Sequence, residues 1–375
     1  MNILQVVRQY LPSTGGMETY VSSLCRQLAG RGHRSDVATL DYLFKTMTPL
    51  PAYERLDGTD VIRLPSLGTA RYFFAPRLLE LAPRYDLIHI HGVDFFVDML
   101  GTCKWMHGRP VVLSTHGGFF HTPWFPALKK AYFQTITRVA LTGVDRVIAS
   151  SPKDEQLFSQ ISGRVTLVEN GIDYKTFSGV QKRSGGASAE NLVFIGRISK
   201  NKRVDRLLEM LAILRQQRPD ATLTVIGPDW EGLQAGLEAQ AGGLGLGEAV
   251  SFTGVLPQEE MLDILAGARL FVSASEYEAF GLSTVEAMAS GTVPAVSRIP
   301  AFEDLVADGE TGFLVDFSDP AGAAASVAQA LAMPEAQLQK LGAVAKVAAS
   351  RHDWSQVAEQ IIDIYEEVIA SRDAC

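Results

Sequence analysis

Cysteine is scarce: Cys25, Cys103 and Cys375 are the only three in 375 residues, too few and too scattered for a disulfide framework or a thiolate metal site. A reducing, cytoplasmic compartment is the expectation. Nowhere do about eighteen apolar residues run uninterrupted, the length a membrane-spanning helix needs. The opening MNILQVVRQY lacks a basic segment followed by an apolar run and a cleavage site, and reads as a buried first strand rather than a signal peptide. Membrane contact, if made, is expected to be peripheral. The glycine-rich GGLGLG does not follow a first strand as Gly-x-Gly-x-x-Gly, which disfavours a nicotinamide dehydrogenase.

What is present describes an ordinary globular protein: 47% hydrophobic and 20% charged residues. Its length exceeds the roughly 250 to 300 residues at which a single core stops growing, so two domains are expected. The net charge of −8 is unevenly distributed, because residues 1–180 hold 19 Lys and Arg against 15 Asp and Glu while the remainder holds 15 against 27. A basic first half can meet anionic lipid, nucleic acid or phosphorylated substrates, and the composition alone does not choose among them.

Short β-branched runs alternate with helical stretches. ILQVV, DVATL, DLIHIHG, PVVLSTH and RVIASS mark the first half, and NLVFIGR, TLTVIGP, ARLFVSAS and VPAVS the second. This rhythm predicts two open α/β domains with parallel sheets. The small, aperiodic segment SGVQKRSGGASAE predicts a break. The expected division is a first domain over 1–178, a linker over 179–190 and a second domain over 191–353. Val357, Ile361, Ile364 and Val368 recur at helical spacing, so 354–375 is expected to be a helix packed back on the first domain. Ligands on parallel sheets bind beyond the carboxyl ends of the strands, which directs attention to the loops after Val7, Ser114, Gly196, Gly227 and Ser275.

Those loops carry the chemistry. EYEAFGLSTVEAMASG places Glu278 before a turn at Gly281 and Glu286 about one turn inside the helix that follows. Backbone amides near Phe280, Gly281, Leu282 and Ser283 then form a helix N-terminus, which attracts diphosphate oxygens. GRISKNKRVD puts Arg197 and Lys202 near another helix start, where cations are disfavoured unless an anion binds; Lys200 and Arg203 read as surface residues. Gly15 and Gly16 precede a helix and allow close backbone approach, with Glu18 readable as a first-turn acid. His116 ends a strand in STHGGFFHT, whereas His89 and His91 in HIHG read as a strand end rather than a ligand pair.

The Glu-x7-Glu spacing of Glu278 and Glu286 resembles the motif of the retaining GT4 family of glycosyltransferases, which have the GT-B fold of two Rossmann-like domains facing a central cleft. The resemblance implies that Glu278 contacts the donor sugar, Glu286 the nucleotide ribose, Arg197 and Lys202 the diphosphate, His116 the donor sugar, and the Gly15–Gly16 loop the donor. Gly227 and Val255 are the expected packing positions for the base. VVRQYLPSTGGME, GVDFF, STHGGFFHT with YFQTITR, and VENGID resemble a narrower group, the mannosyltransferases of xanthan- and acetan-type exopolysaccharide assembly. That likeness implies GDP-mannose as donor and a polyprenyl-diphosphate-linked oligosaccharide as acceptor, with no nucleic-acid partner.

A lipid-linked acceptor implies contact with the cytoplasmic membrane face. Phe119, Phe120, Trp124 and Phe125 are candidates to enter the interface, or to pack in the core, with Lys129 and Lys130 meeting headgroups. His121 is a candidate for acceptor contact or for packing. No Asp-x-Asp pair of the kind that holds a divalent ion on a sugar nucleotide occurs, so neither a metal nor another cofactor is expected. The rivals are a family member using a UDP-sugar, a GT-B-fold sugar-nucleotide epimerase and a non-catalytic sugar-binding protein.

Overall fold

The computed structural model describes residues 1–13, 15–44, 46–68, 73–117, 126–183 and 190–373. Two compact units divide the chain: Met1–Gly171 with Trp354–Cys375, and Ile172–Asp353.

The first unit contains strands β1 (Asn2–Val7), β2 (Arg34–Leu40), β3 (Tyr53–Leu56), β4 (Thr59–Leu64), β5 (Leu67–Gly68), β6 (Phe73–Phe74), β7 (Leu87–His91), β8 (Val111–Ser114), β9 (Arg146–Ala149) and β10 (Val165–Leu167). Eight form one sheet in the order β10-β9-β8-β7-β1-β2-β4-β3, with β5 and β6 paired separately. Only β3 in that large sheet runs antiparallel, as an edge strand on β4. Side chains alternate across the sheet. Leu4, Val6, Ile88, Ile90 and Leu113 share one apolar cluster. Ile3, Val7, Leu87 and Val112 share another, with Leu24 and Leu28 of the helix Gly16–Gly30.

The second face also takes the closing helix Trp354–Asp373, whose Trp354, Val357, Ile361, Ile364, Tyr365 and Val368 are buried there. The periodic apolar positions thus cover one stripe of the helix, and the expected return to the first unit is what the structure has. Four polar side chains, Gln5, His89, His91 and Ser114, are buried in central strands of the same sheet. Such burial requires hydrogen bonds in compensation.

The break in the chain falls earlier than the sequence implies. The helix Tyr174–Ser178, assigned above to the first domain, belongs to the second unit because Phe177 and Tyr174 pack into that unit's apolar cluster. The near end of the expected linker is also anchored there. Lys182 Nζ donates to the carbonyls of Leu265 and Ala268, each at 2.6 Å, and to Thr292 Oγ1 at 3.0 Å. Residues 184–189 lie outside the described residues.

In the second unit β11 (Asn191–Ile195), β12 (Thr222–Ile226), β13 (Val250–Gly254), β14 (Leu270–Ser273), β15 (Val293–Ser297) and β16 (Phe313–Val315) form a parallel sheet in the order β13-β12-β11-β14-β15-β16. β14 and β15 are buried along their whole lengths, as interior strands of a sheet covered on both faces must be. The order reverses direction between β11 and β14. Crossover connections therefore diverge there, leaving a crevice at the carboxyl ends of these two strands. The loops leaving β11 and β14 are the ones that carry Arg197, Lys202 and Glu278.

Candidate functional site

At the carboxyl end of β11 two backbones meet. Gly196 N donates to Ile226 O at 2.9 Å, and Gly227 N donates to Gly254 O at 2.8 Å. Gly227 has φ 137°, and a Cβ there would lie 2.1 Å from Gly196 O. Both its conformation and its space require glycine. Beyond this contact the Arg197 guanidinium lies over the Trp230 ring, 4.9 Å from its centroid, in a cation–π arrangement. Arg197 itself is exposed, with its charge available to an anion.

The turn Lys200–Lys202 brings the next cation inward. Lys202 Nζ and Glu278 Oε1 are 2.5 Å apart, with only 13% and 12% of the two side chains exposed. Ser275 Oγ donates to the same carboxylate oxygen at 2.8 Å. Asn201 fastens the two loops, because its backbone carbonyl accepts from Glu276 N at 2.8 Å while Nδ2 donates to Tyr277 O at 3.1 Å. Lys200 is exposed, as expected for a surface residue. Arg203 is more than that: it adopts φ 48° and pairs with Asp205 and Glu276, fixing the end of the turn that presents Lys202.

Gly281, with φ 103°, precedes the helix Leu282–Ala289. A Cβ there would approach Phe302 at 3.0 Å and Leu305 at 3.2 Å, so the tight turn and the packing below it both favour glycine. Phe280 is buried against His352, ring centroids 5.2 Å apart. Glu286 is half-buried, and no hydrogen bond or ion pair holds its carboxyl among the described residues. Burial alone raises its pKa to about 7. Val255, just past β13, is 72% exposed.

In the first unit, the helix Gly16–Gly30 begins beside β1 with Gly15 as its extended N-cap. Glu18 is a first-turn acid that accepts from Ser13 Oγ at 3.0 Å. His116 follows β8 with φ 49°, an uncommon conformation for a residue with a side chain. Asp154 Oδ2 grips both neighbours, accepting from Thr115 Oγ1 at 2.5 Å and Gly117 N at 2.9 Å. The Tyr20 ring meets the His116 ring edge-on at 4.6 Å.

Behind His116, HIHG is more than an ordinary strand end, because its two histidines belong to a buried polar chain. His116 Nε2 is 3.0 Å from His91 Nδ1, and His91 Nε2 is 2.7 Å from Gln5 Oε1. His89 joins Tyr365 OH at 2.6 Å to Ser114 Oγ at 2.8 Å. Burial lowers His89 and His91 well below the ordinary imidazole range, and lowers His116 to about 4.

Phe119, Phe120, His121, Trp124 and Phe125 lie outside the described residues. Lys129 and Lys130 are on the helix Pro126–Tyr132, Lys130 exposed and Lys129 half-buried. Among the described residues no helix is long and apolar enough to cross a membrane.

The arrangement in the second unit can hold an anion near Arg197 and Lys202 and hydroxyl groups near Glu278 and Glu286. Comparison with known proteins agrees with that chemistry. Residues 14–176 match the model of Glycosyltransferase Family 4, and residues 182–367 that of Glycosyl transferases group 1. The chain is 34% identical over 376 residues to the GDP-mannose:cellobiosyl-diphosphopolyprenol alpha-mannosyltransferase of Xanthomonas oryzae, covering 98% of this chain and 97% of the relative. It is 33% identical to the protein of the same name from Komagataeibacter xylinus, over 98% and 94%. Among solved structures, sucrose-phosphate synthase from Thermosynechococcus elongatus superposes with a TM-score of 0.77 at 23% identity, over 99% of each chain. Anabaena HepE in complex with UDP does so with a TM-score of 0.76 at 22% identity, over 98% of this chain and all of that one. At these identities the solved structures bear on the fold.

Proposed function

The chain belongs to glycosyltransferase family 4, and on that premise we propose that it is a retaining α-mannosyltransferase that moves mannose from GDP-mannose to a polyprenyl-diphosphate-linked oligosaccharide during exopolysaccharide assembly. Its two units are Rossmann-like domains of the GT-B fold. The observation that carries the reading is the Lys202–Glu278 pair at the switch point of the second sheet, with Arg197 on the same loop as Lys202. The relatives that match over nearly the whole chain support mannose and the lipid-linked acceptor.

In this mechanism the bond from the anomeric carbon to the β-phosphate oxygen breaks, and charge grows on the departing diphosphate. Arg197 and Lys202 stabilise that charge more in the transition state than in the bound donor. The acceptor hydroxyl attacks from the face that the diphosphate leaves, and a departing phosphate oxygen takes its proton. Configuration is retained without a protein nucleophile. By resemblance to the family, Glu278 orients the sugar, Glu286 the ribose, and the amides at Gly281 to Ser283 the diphosphate. The two cations replace a divalent ion in this scheme, so a chelator should leave turnover unchanged. A loss that added magnesium restores would refute that part.

We also propose peripheral binding to an anionic membrane face. Residues 104–144 contain five Lys and Arg and no Asp or Glu, Lys104 being paired with Asp145 just beyond, and the same stretch exposes Trp105 by 81% and Leu128 by 67%. Aromatic and basic side chains together suit a headgroup interface. Sedimentation with anionic vesicles tests it: binding unchanged after Lys129→Glu with Lys130→Glu would sink the idea.

The donor is settled by turnover with GDP-mannose, UDP-glucose and UDP-GlcNAc on a lipid-linked acceptor. Preference for GDP-mannose is expected. Indifference to it would overturn the mannosyl reading, and sugar conversion without acceptor would favour an epimerase.

A further inference from the structure

We propose that Gln5 and His91 are positioning residues that hold His116 neutral with its proton on Nε2, so that His116 Nδ1 accepts a hydrogen bond from a substrate hydroxyl. This rests on the reading of His116 as a sugar-contacting residue. It adds which atom makes the contact and what fixes it.

A glutamine side-chain oxygen only accepts, so the 2.7 Å contact between Gln5 Oε1 and His91 Nε2 places a proton on that nitrogen. In this orientation the Gln5 amide nitrogen is buried without a hydrogen-bond partner. His91 is wholly buried, next to two other imidazoles and without a carboxylate partner among the described residues, and burial keeps it neutral. A neutral imidazole carries one proton, so His91 Nδ1 is a bare acceptor. The 3.0 Å contact to His116 then requires His116 Nε2 to donate. His116 is neutral as well, and its Nδ1 is left with a lone pair and no partner among the described residues.

The ring is also fixed in place. Asp154 binds the residues on either side, Tyr20 packs on the edge, and the backbone is held at φ 49°. Backbone strain of this kind persists only where surrounding contacts impose it, and it occurs disproportionately at functional sites. A sugar hydroxyl, which donates readily, matches a fixed nitrogen acceptor. The sheet explains how Gln5 reaches His91: Gln5 pairs with His89 and Val7 with His91 across β1 and β7, so Gln5 and His91 lie on adjacent strands with their side chains in contact.

Long-range proton–nitrogen spectra of the full-length, nitrogen-15-labelled protein read the tautomer directly. The wild type should show His116 protonated on Nε2, and protonation on Nδ1 would overturn the proposal. Gln5→Glu should draw a second proton onto His91, make its Nδ1 a donor and move the His116 proton to Nδ1. Gln5→Leu removes the acceptor without adding charge, and should yield a mixture of tautomers even if the glutamate variant fails to fold. Either change should lower kcat/KM about tenfold, the scale of one hydrogen bond to substrate. A tautomer change with kcat/KM unaltered would also overturn the proposal. Failure of the underlying reading is distinguishable: His116→Ala with full activity would remove the sugar contact while leaving the wild-type spectrum as expected.

Discussion

Lys202 Nζ lies 2.5 Å from Glu278 Oε1, and this ion pair joins the loop leaving β11 to the loop leaving β14. It spans the point where the strand order reverses, so a cation and a carboxylate are presented together at the carboxyl ends of the strands. Both side chains are largely withdrawn from water, where an interaction between charges is stronger than at the surface.

Replacing Lys202 by alanine should lower kcat by at least about a hundredfold, the effect of removing one transition-state charge stabiliser. Glu278 keeps its bond from Ser275, so the cost to folding should be only about 1 to 3 kcal/mol. Steady-state kinetics and urea unfolding check the two halves. Near-normal turnover in Lys202→Ala or Glu278→Ala would refute the assignment.

Glu286 should make donor binding depend on pH. Its carboxyl has a pKa of about 7 in the folded protein, and only the ionised form offers both oxygens to ribose hydroxyls. Donor affinity should therefore rise as pH passes upward through about 7, and Glu286→Gln should flatten the profile. Stability should move the other way. The folded pKa is raised above the unfolded value of 4.5, so the native state holds the extra proton between that value and 7, and stability falls as pH rises across this window. Calorimetry of GDP-mannose binding and thermal melts across the same buffers measure both trends.

Two glycines should respond in opposite ways. Gly227→Ala brings a Cβ to 2.1 Å from Gly196 O at φ 137°, and should cost about 3 kcal/mol or more. A Cβ at Gly16 meets nothing within 4 Å. Gly16→Ala should melt at nearly the wild-type temperature yet bind donor more weakly if the donor approaches that backbone. Equal donor affinity in Gly16→Ala would remove this loop from the donor site.

Lys182→Ala should destabilise the second unit by about 1 to 3 kcal/mol, because the carbonyls of Leu265 and Ala268 and the Thr292 hydroxyl lose a shared donor. Urea unfolding followed through Trp230 is the measurement. An unchanged midpoint would show that water replaces the amine at no cost.

The side chains proposed for the donor in the second unit stand out in the sequence because their loops are short and their motifs local. Glu278 and Glu286 share one segment, and Arg197 and Lys202 another. What joins the segments was not legible. Asn201 and Ser275 are common polar residues, and their roles arise from contacts with another loop or with an ion pair already in place. The same holds for Gln5, 86 positions from His91, and for Tyr365, 276 positions from His89. A polar residue in an apolar strand such as NILQVV was the available sign, since burial of Gln5 demands a partner. The chain break was misplaced for a related reason. Small polar residues mark a loop, but they do not reveal that Phe177 and Lys182 on its near side belong to the second core.

The closing helix Trp354–Asp373 completes the first unit although nearly two hundred residues of the second unit precede it in the chain. Domains commonly fold as they leave the ribosome, starting from the N-terminus. Here the first unit is completed only by a helix that follows the second unit in the chain, while the second unit is uninterrupted. Until Tyr365 arrives, His89 lacks one of its partners and the apolar face under Trp354 stays open. Without this helix the first unit exposes an apolar face that the folded chain covers.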